Sequence, residues 1–465
     1  MDTEIKVNRL LAILGAAAVA WFFIEPVPGL SEKALHMLII FIASMSGIML
    51  EVCPPVAFLL MTMLIANLTG TIEVKEGFSG FSNIVPWLLF LVLSLATAIT
   101  KTTLGMRLAY IFMKFFGKGI MGLSYSIIMT EFFVAPTLPS NTARAASVGY
   151  PLVTSLAKYI SSAVKGVSEK TIGAYLTLLY SNSNAVCSSI FITAMISNAI
   201  VIETMANAGI HTTWILWTKY VIIPGITILL AIPFVVRLVC NPKTSELGGI
   251  QEQAKKNYKE LGALTKNEKF ITVTFALMLL MWVFAEVIHI PVLVTTLLGV
   301  CIFYFFGILD IRAILANHST FSSVIMLGIL ISYVNCLNSF GVIEWFNQVV
   351  SSVIGGYSPK IAFVILSTIY FFAHYFFSGE SSRIIALYAA FLGIGISLGL
   401  DKIAIAMTLG VFSSMSSVLT NYSGPVAIMM SSTGYVSPKK WFACGLFSAV
   451  SIITIWSVYI FLFKV

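Results

Sequence analysis

Charged residues are scarce in this sequence. Of its 465 residues only 10% are aspartate, glutamate, lysine or arginine, whereas 58% are hydrophobic, and the mean hydropathy is +0.97. Soluble globular domains average about 25% charged residues, so this composition excludes a soluble domain and indicates an integral membrane protein. Long apolar runs recur along the chain, which favours spanning helices over barrel strands. We therefore expect an all-α integral membrane fold.

Metal-binding and redox motifs are also lacking. The six cysteines are scattered without a CxxC pair, and the five histidines form no HExxH or similar pair. A disulfide framework, a zinc site and a metal-dependent enzyme are therefore not indicated. No nucleophile–base pair is visible either, so we expect neither an enzyme nor a cofactor. The net charge of +8 is typical of basic cytoplasmic loops in membrane proteins rather than of nucleic-acid binding.

Apolar segments of about membrane-spanning length recur along the whole chain. The first belongs to an N-terminal unit, residues 1–32, and could alternatively be a cleaved signal segment. Two long apolar segments, about 121–158 and 359–398, exceed one span and have polar centres, so we interpret each as a re-entrant hairpin. The eleven predicted spans are about 9–24, 34–50, 55–69, 85–100, 171–201, 213–236, 270–287, 290–308, 321–340, 402–431 and 441–463.

The positive charges predict how the chain is oriented. With the N-terminus in the cytoplasm, nineteen of the 27 lysines and arginines face the cytoplasm and six face outward, in agreement with the positive-inside rule. This orientation puts the C-terminus outside and makes the polar stretch 240–269 a cytoplasmic linker. We expect a multi-pass protein of the cell membrane. The two remaining basic residues, Arg144 and Arg383, fall inside the predicted hairpins.

An internal repeat relates the two halves of the chain at an offset of 239 positions. Residues 141–144, which end in an arginine, match residues 380–383, which end in another. The same offset relates Asn182 to Asn421, and each asparagine lies in a polar stretch within an apolar span. Several polar features at one ungapped offset indicate two copies of one structural unit.

The two repeat units are predicted to be residues 33–239 and 270–465. After its hairpin each unit has a span with a polar centre, 171–201 in the first and 402–431 in the second, and we interpret both as broken spans. Each unit crosses the membrane an odd number of times, so the copies have opposite orientations. Inverted repeats with interrupted apolar segments indicate the binding site of a secondary transporter. Alternatively, these polar residues serve only as contacts between helices.

Serine, threonine and asparagine at a hairpin tip suit an anion. A helix that begins at the membrane midplane presents free backbone N–H groups and a partial positive charge at its N-terminus. Neutral side chains add oriented hydrogen bonds without burying further charge. Four such helix ends at one place would form a small polar chamber for a molecule with two or three carboxylates.

Arg383 leaves two interpretations open. If it faces this chamber, the empty carrier has an uncompensated charge that resists crossing the membrane, whereas a bound dicarboxylate cancels that charge. Such a carrier exchanges one anion for another. Alternatively, Arg383 forms a local ion pair with Glu380, three residues earlier on the same helix.

Three short motifs, PSNTARA, HYFFSGESSR and LTNYSGP, make this chain resemble the divalent anion:sodium symporter family. The similarity covers nearly the whole chain and points to the exchanger branch, which includes 2-oxoglutarate/malate translocators and citrate/succinate antiporters. The resemblance implies an elevator-type carrier, usually a homodimer in the bilayer. In such a carrier the part that contains both hairpins and both broken spans slides across the membrane.

The resemblance also implies which residues form the site. The first Ser-Asn-Thr motif would contact a substrate carboxylate, and Ser140 and Asn141 would join Ser183 and Asn184 in a candidate sodium site. The predicted substrate-binding residues are Ser140, Asn141, Thr142, Gly379, Ser381, Ser382, Thr420, Asn421 and Pro425.

The second hairpin tip departs from the family pattern. A glycine and a glutamate, Gly379 and Glu380, occupy the start of the second Ser-x-Thr motif, so a hydroxyl is lost and a negative charge is added. Arg383, together with Arg144 in the first hairpin, would supply a fixed positive charge near the site in place of a second sodium ion.

These expectations together predict a transporter of small dicarboxylate anions. The predicted function is the exchange of C4 and C5 dicarboxylates, such as succinate, malate, fumarate and 2-oxoglutarate, by an elevator mechanism. The alternative is a sodium-coupled symporter for di- or tricarboxylates, which would show net sodium-dependent uptake.

Overall fold

The computed structural model describes residues 2–463, apart from 27, 51, 139, 243–246, 248, 316–317, 355–356 and 378, and every regular element in this part is a helix. The first half and the linker contain α1 Asp2–Phe23, α2 Glu32–Met49, α3 Pro55–Leu68, α4 Val74–Gly77, α5 Ile84–Thr100, α6 Leu104–Phe116, α7 Gly119–Val134, α8 Asn141–Arg144, α9 Tyr150–Ala163, α10 Glu169–Ile190, α11 Ile196–Asn207, α12 Trp214–Val239 and α13 Ile250–Glu260.

The second half repeats this order of long and short helices. It contains α14 Lys266–Val283, α15 Ala285–Ile288, α16 Val292–Phe305, α17 Ile311–Leu315, α18 His318–Ser339, α19 Val342–Ile354, α20 Pro359–Phe372, α21 Glu380–Arg383, α22 Ala389–Ser397, α23 Lys402–Met415, α24 Pro425–Ser431 and α25 Pro438–Phe463.

The helices have the length and composition of a multi-pass membrane protein, which confirms the all-α membrane class. Four in the described chain are long and apolar enough to span a bilayer, namely Trp214–Val239, Thr320–Ser339, Pro359–Phe376 and Pro438–Phe463. Helices α5 and α6 form an apolar pair bent by 61°. Other apolar helices are shorter, so the count of eleven spans stays a prediction.

The two predicted hairpins have matching internal structure. In each, a long helix is followed by an irregular tip and then by a second helical arm that begins at Asn141 in the first copy and Glu380 in the second. Both second arms contain a π-helical turn, Ala145–Gly149 and Ile384–Tyr388, at the same offset of 239 positions. Such π-turns are uncommon and occur frequently at functional sites.

The break in the first broken helix lies further along the chain than its polar residues suggest. The polar stretch 181–184 is inside the continuous helix α10, and the chain leaves the helix only at 191–195, before α11. Helix α23, a short 3₁₀ turn and α24 form the second broken element, whose irregular part 419–424 includes Asn421. The proposed equivalence of Asn182 and Asn421 was therefore wrong.

Helices α10 and α23 occupy the centre of the molecule. Nearly every residue of α10 from Ile172 to Ile190, and of α23 from Ala404 to Met415, is buried. Helix α10 packs on α9, α12 and α23, while α23 packs on α20 and α22. The hairpins and broken helices, α11 included, thus form one central body, against which α5 and α18 close the site described below.

Candidate substrate-binding site

A cavity of about 850 Å³ lies between the two hairpin tips and helices α5, α11 and α18. Its volume is in the range of small-molecule sites. The predicted substrate-binding residues that line it are Ser140, Asn141, Thr142, Gly379, Ser381, Ser382 and Pro425. The other two, Thr420 and Asn421, belong to the break before α24 and do not line the cavity; Thr420 is fully buried there.

The backbone N–H groups at the first tip are capped by side chains of the tip itself. Ser140 is the N-cap of α8, and its Oγ accepts a hydrogen bond from the backbone N–H of Ala143 at 3.2 Å. Asn141 Oδ1 accepts from the backbone N–H of Thr142 at 2.9 Å, while its Nδ2 donates to Glu380 Oε2 at 3.3 Å. The last bond joins the two tips directly, through residues at equivalent positions of the repeat.

The second tip presents a more open helix start. Gly379 occupies the N-cap position and has no side chain, so the described part of the chain offers no side-chain cap for the first-turn amides of α21. This helical arm continues through the π-turn into α22 and ends at Ser397. Ser381 shares a hydrogen bond of 2.8 Å with Ser197 of α11. Backbone N–H groups at the start of such a helix suit a carboxylate.

The arginine of the first repeat is fully neutralised inside the protein. Arg144 is completely buried, and its Nε donates to Glu131 Oε1 of α7 at 2.6 Å. Its two terminal nitrogens donate to the backbone carbonyls of Leu138 and Ala194 and to Ser188 Oγ. Arg144 therefore holds the tip, α7 and both ends of the first helix break together, and it does not line the cavity.

The arginine of the second repeat has carbonyl partners instead of an acid. Arg383 is completely buried and donates to the backbone carbonyls of Tyr370, Phe412 and Ser413 at 2.6 to 3.2 Å. Its guanidinium carbon also lies 4.8 Å from the centre of the Tyr370 ring. Among the described residues, no ion pair within 4.0 Å joins Arg383 to Glu380. The expectation of a local Arg383–Glu380 ion pair was therefore wrong.

Among the described residues, one contact joins the two stretches of the candidate sodium site, from Asn184 of α10 to Asn141 of the first tip. Asn184 Nδ2 donates to Glu131 Oε1 at 2.8 Å and lies 3.4 Å from the backbone carbonyl of Asn141. Ser183 Oγ donates to the carbonyl of Leu179 in its own helix. Within the described chain no group of three or more histidine, cysteine, aspartate or glutamate residues could hold a metal ion.

Two features of the site are absent from the sequence-based prediction. Glu131 is the acid that compensates Arg144, and a lone glutamate in the apolar run of α7 is the signal that indicates it. At the end of the first helix break, Met195 contacts Asn141 of the first tip, and Ser197 of α11 contacts Ser381 of the second tip. The surrounding sequence is mostly apolar and has no charged residue that would mark it as part of the site. A charged residue inside an apolar segment predicts a partner of opposite charge nearby, because an unpaired buried charge is costly.

Broken helices and hairpin tips that meet at a cavity with polar residues are typical of membrane transporters, and this architecture places the protein in that class. The model of the sodium:sulfate symporter transmembrane region matches residues 4–464, so the chain belongs to this family. The chain is accordingly a transporter-family member and not an enzyme.

Relatives of this chain share its whole length. Dicarboxylate transporter 1, chloroplastic, of Arabidopsis thaliana is 32% identical over 97% of this chain and 81% of its own. The citrate/succinate antiporter of Escherichia coli is 27% identical, with 94% and 93% covered. The solved structure of Neisseria gonorrhoeae MtrF, described as an antimetabolite efflux pump, has a TM-score of 0.58 at 12% identity and covers 99% of this chain and 95% of its own. This last likeness concerns the fold alone.

Proposed function

We propose that this protein is a secondary active transporter that exchanges C4 and C5 dicarboxylates across the cell membrane. Succinate, malate, fumarate and 2-oxoglutarate are the substrates we expect. The observation that carries the proposal is the cavity between two equivalent hairpin tips, whose polar lining includes the Ser140–Thr142 motif, Ser381 and Ser382. The names of the two relatives described above support the substrate class.

Each tip has its own hydrogen-bond donors, and two separate sets of donors suit a molecule with two carboxylates. The second tip offers the uncapped first-turn amides of α21 and the hydroxyls of Ser381 and Ser382. The first tip offers the hydroxyl of Thr142 and the amide nitrogen of Asn141. A dicarboxylate can satisfy both tips at once, whereas a monocarboxylate leaves one of them without an acceptor.

Exchange is supported by the environment of Arg383. Its guanidinium is buried with backbone carbonyls and no acid within 4.0 Å in the described chain, whereas the corresponding Arg144 has Glu131. A buried charge that lacks a close counter-charge makes movement of the empty transport body through the bilayer costly. Glu380 lies on the same helix but forms no ion pair with Arg383 within 4.0 Å, so a carboxylate bound at the second tip would offset the Arg383 charge further and favour loaded transitions over empty ones.

The elevator mechanism and the homodimer belong to the same proposal. The central body of hairpins and broken helices is the candidate transport part, and α1–α3 with α18 are the candidate scaffold. The N-terminus would lie in the cytoplasm and the C-terminus outside.

Reconstituted vesicles test this function. Labelled succinate uptake is compared between vesicles loaded with unlabelled dicarboxylate and empty vesicles, each with and without sodium. Uptake that needs internal dicarboxylate and no sodium is the expected result. Absence of dicarboxylate uptake under all four conditions would contradict the proposal.

A sodium-coupled symporter is the second candidate. The observation in its favour is Glu380, which is the one acidic side chain among the described residues that line the cavity and would attract a cation. Sodium-dependent uptake into empty vesicles, with no need for internal dicarboxylate, would establish this alternative instead.

A further inference from the structure

A carboxylate faces the cavity that we propose for dicarboxylates. Glu380 is 9% exposed and lines the cavity, and apart from Cys53 no other described lining residue has an ionisable side chain. Neither buried arginine lines the cavity. The site therefore contains a group that repels a simple dianion, and a substrate group that offsets this repulsion would strengthen binding.

Part of the hydrogen-bonding capacity of Glu380 is not used by its described partners, Asn141 and Ser417. A carboxylate can accept about four hydrogen bonds. Asn141 Nδ2 donates to Oε2 at 3.3 Å, which is long for a charge-assisted bond. The Ser417 hydroxyl is a second hydrogen-bonding partner of Glu380, and it also lies 2.7 Å from the carbonyl oxygen of Ser414. Glu380 is thus a buried acceptor in the cavity lining with capacity for a further hydrogen bond, which a substrate donor can supply.

We infer that Glu380 selects dicarboxylates that have a hydrogen-bond donor, hydroxyl or ammonium, on the carbon beside one carboxylate. This inference rests on the proposed function and narrows its substrate class. Such a donor satisfies the Glu380 carboxylate while the substrate carboxylates bind at the two tips. Succinate and 2-oxoglutarate have no donor at this carbon and leave Glu380 next to their negative charges. A site built to hydrogen-bond a substrate group discriminates strongly against analogues that lack it, because its own polar group is then unpaired.

The repeat gives a reason why this selectivity resides in the second tip. The position equivalent to Glu380 in the first tip is Asn141, a neutral residue whose Oδ1 is occupied by the Thr142 backbone N–H. The first tip therefore lacks a free acidic acceptor. Glu380 gives the second end of the cavity the one acidic acceptor among the described lining residues, so it also orients an asymmetric substrate.

Equilibrium binding to the purified full-length protein tests the inference in sodium-free buffer. The probes are succinate, 2-oxoglutarate, malate and aspartate, so that the malate and aspartate arms separate hydroxyl from ammonium. We expect at least one of these two to bind about tenfold or more tightly than succinate and 2-oxoglutarate. In Glu380→Gln this preference should fall towards one, because the neutral amide removes the repulsion and the strong acceptor.

The possible outcomes separate this inference from the function on which it rests. Equal affinity of the wild-type protein for all four probes would overturn the inference and leave dicarboxylate binding intact. An unchanged preference in Glu380→Gln, or succinate binding that becomes as tight as malate binding when sodium is added, would overturn it as well. If Glu380→Gln does not fold, Glu380→Asp serves instead. Its side chain is one methylene shorter, so the carboxylate lies further from the substrate donor, and the preference for malate or aspartate over succinate should decrease. Failure of every probe to bind would instead reject the proposed function, and the inference with it.

Discussion

Replacement of Glu131 by alanine should destabilise the protein more than a substitution near the tips that leaves the buried charges in place. The Glu131 carboxylate accepts hydrogen bonds from Arg144 Nε at 2.6 Å, from Asn184 Nδ2 at 2.8 Å and from the Tyr180 hydroxyl at 2.8 Å. Both Glu131 and Arg144 are almost completely inaccessible to solvent. Glu131→Ala therefore leaves a buried guanidinium without its counter-charge and removes the acidic acceptor of two further donors, the Tyr180 hydroxyl and Asn184 Nδ2.

The expected magnitude follows from the cost of breaking a buried ion pair. Removing one partner of such a pair typically costs about 3–5 kcal/mol, because the remaining charge stays buried and uncompensated. Reversible unfolding in mixed detergent micelles measures the change in unfolding free energy. Tyr370→Phe is the matched control, since Tyr370 is the equivalent residue of the second repeat. It loses only the hydrogen bond of 2.7 Å to Ser413, for which about 1 kcal/mol is expected.

A double variant separates the charge from the cavity left by the side chain. Glu131→Gln combined with Arg144→Met removes both charges and nearly preserves volume, so it should cost less than Glu131→Ala. If Glu131→Ala is no more destabilising than Tyr370→Phe, or if the double variant costs more than Glu131→Ala, the buried pair is not the stabilising feature and the reasoning fails.

Three further outcomes can be measured. Arg383→Met removes the buried charge proposed to restrict the empty carrier, so labelled succinate uptake into unloaded vesicles should rise above background; no change would contradict the role of Arg383 in exchange. Gly80→Ala would place a Cβ against the Gly328 carbonyl oxygen and should cost about 1–3 kcal/mol, whereas Gly15→Ala, within helix α1 and with no heavy atom within 4 Å, should not destabilise the protein in the same unfolding assay. Burial alone would raise the pKa of Glu268, but hydrogen bonds from Thr103, Thr265 and Arg107 outweigh it and lower the pKa from 4.5 to about 2. Because folding lowers this pKa, the wild-type protein should have a higher free energy of unfolding than Glu268→Gln above pH 4.5, and this difference should disappear as the pH falls to about 2. A difference in unfolding free energy that persists at pH 2 would refute the lowered pKa of Glu268.

The sequence predicts the two hairpin tips well because their signals are local. A serine that can cap a helix, followed by small polar residues and an arginine inside an apolar run, marks the start of α8. The offset of 239 then predicts α21, and the structure places both helix starts and both π-turns in that register. Local chemistry and the repeat were sufficient here.

The first helix break could not be predicted in the same way. Polar residues in a helix do not interrupt it when their side chains bond to the preceding turn, as Asn182 and Ser183 do to the carbonyls of Leu178 and Leu179. The true break at 191–195 is mostly apolar, and it is stabilised by an asparagine of the next helix and by groups of the first hairpin. Asn198 donates to the carbonyl of Phe191, and other partners come from the first hairpin. Such tertiary partners leave no pattern in the local sequence.

The two repeats contain the same pair of charges in different arrangements. Each hairpin has one glutamate and one arginine, and the arginines occupy equivalent positions. In the first hairpin the acid lies thirteen residues before the arginine and forms a closed ion pair behind the tip. In the second hairpin that position is Tyr370, and the acid has moved to the tip as Glu380.

This rearrangement explains how one fold can produce two unlike halves of a site. The first repeat uses its charges for stability, because the Arg144–Glu131 pair is buried and complete. The second repeat separates its charges, so that Arg383 stays behind the tip with carbonyl partners while Glu380 faces the cavity. A charge that is not neutralised locally remains available to respond to a bound ion or substrate. The asymmetry of charge between the copies, rather than their shared backbone, therefore determines which end of the cavity discriminates between substrates.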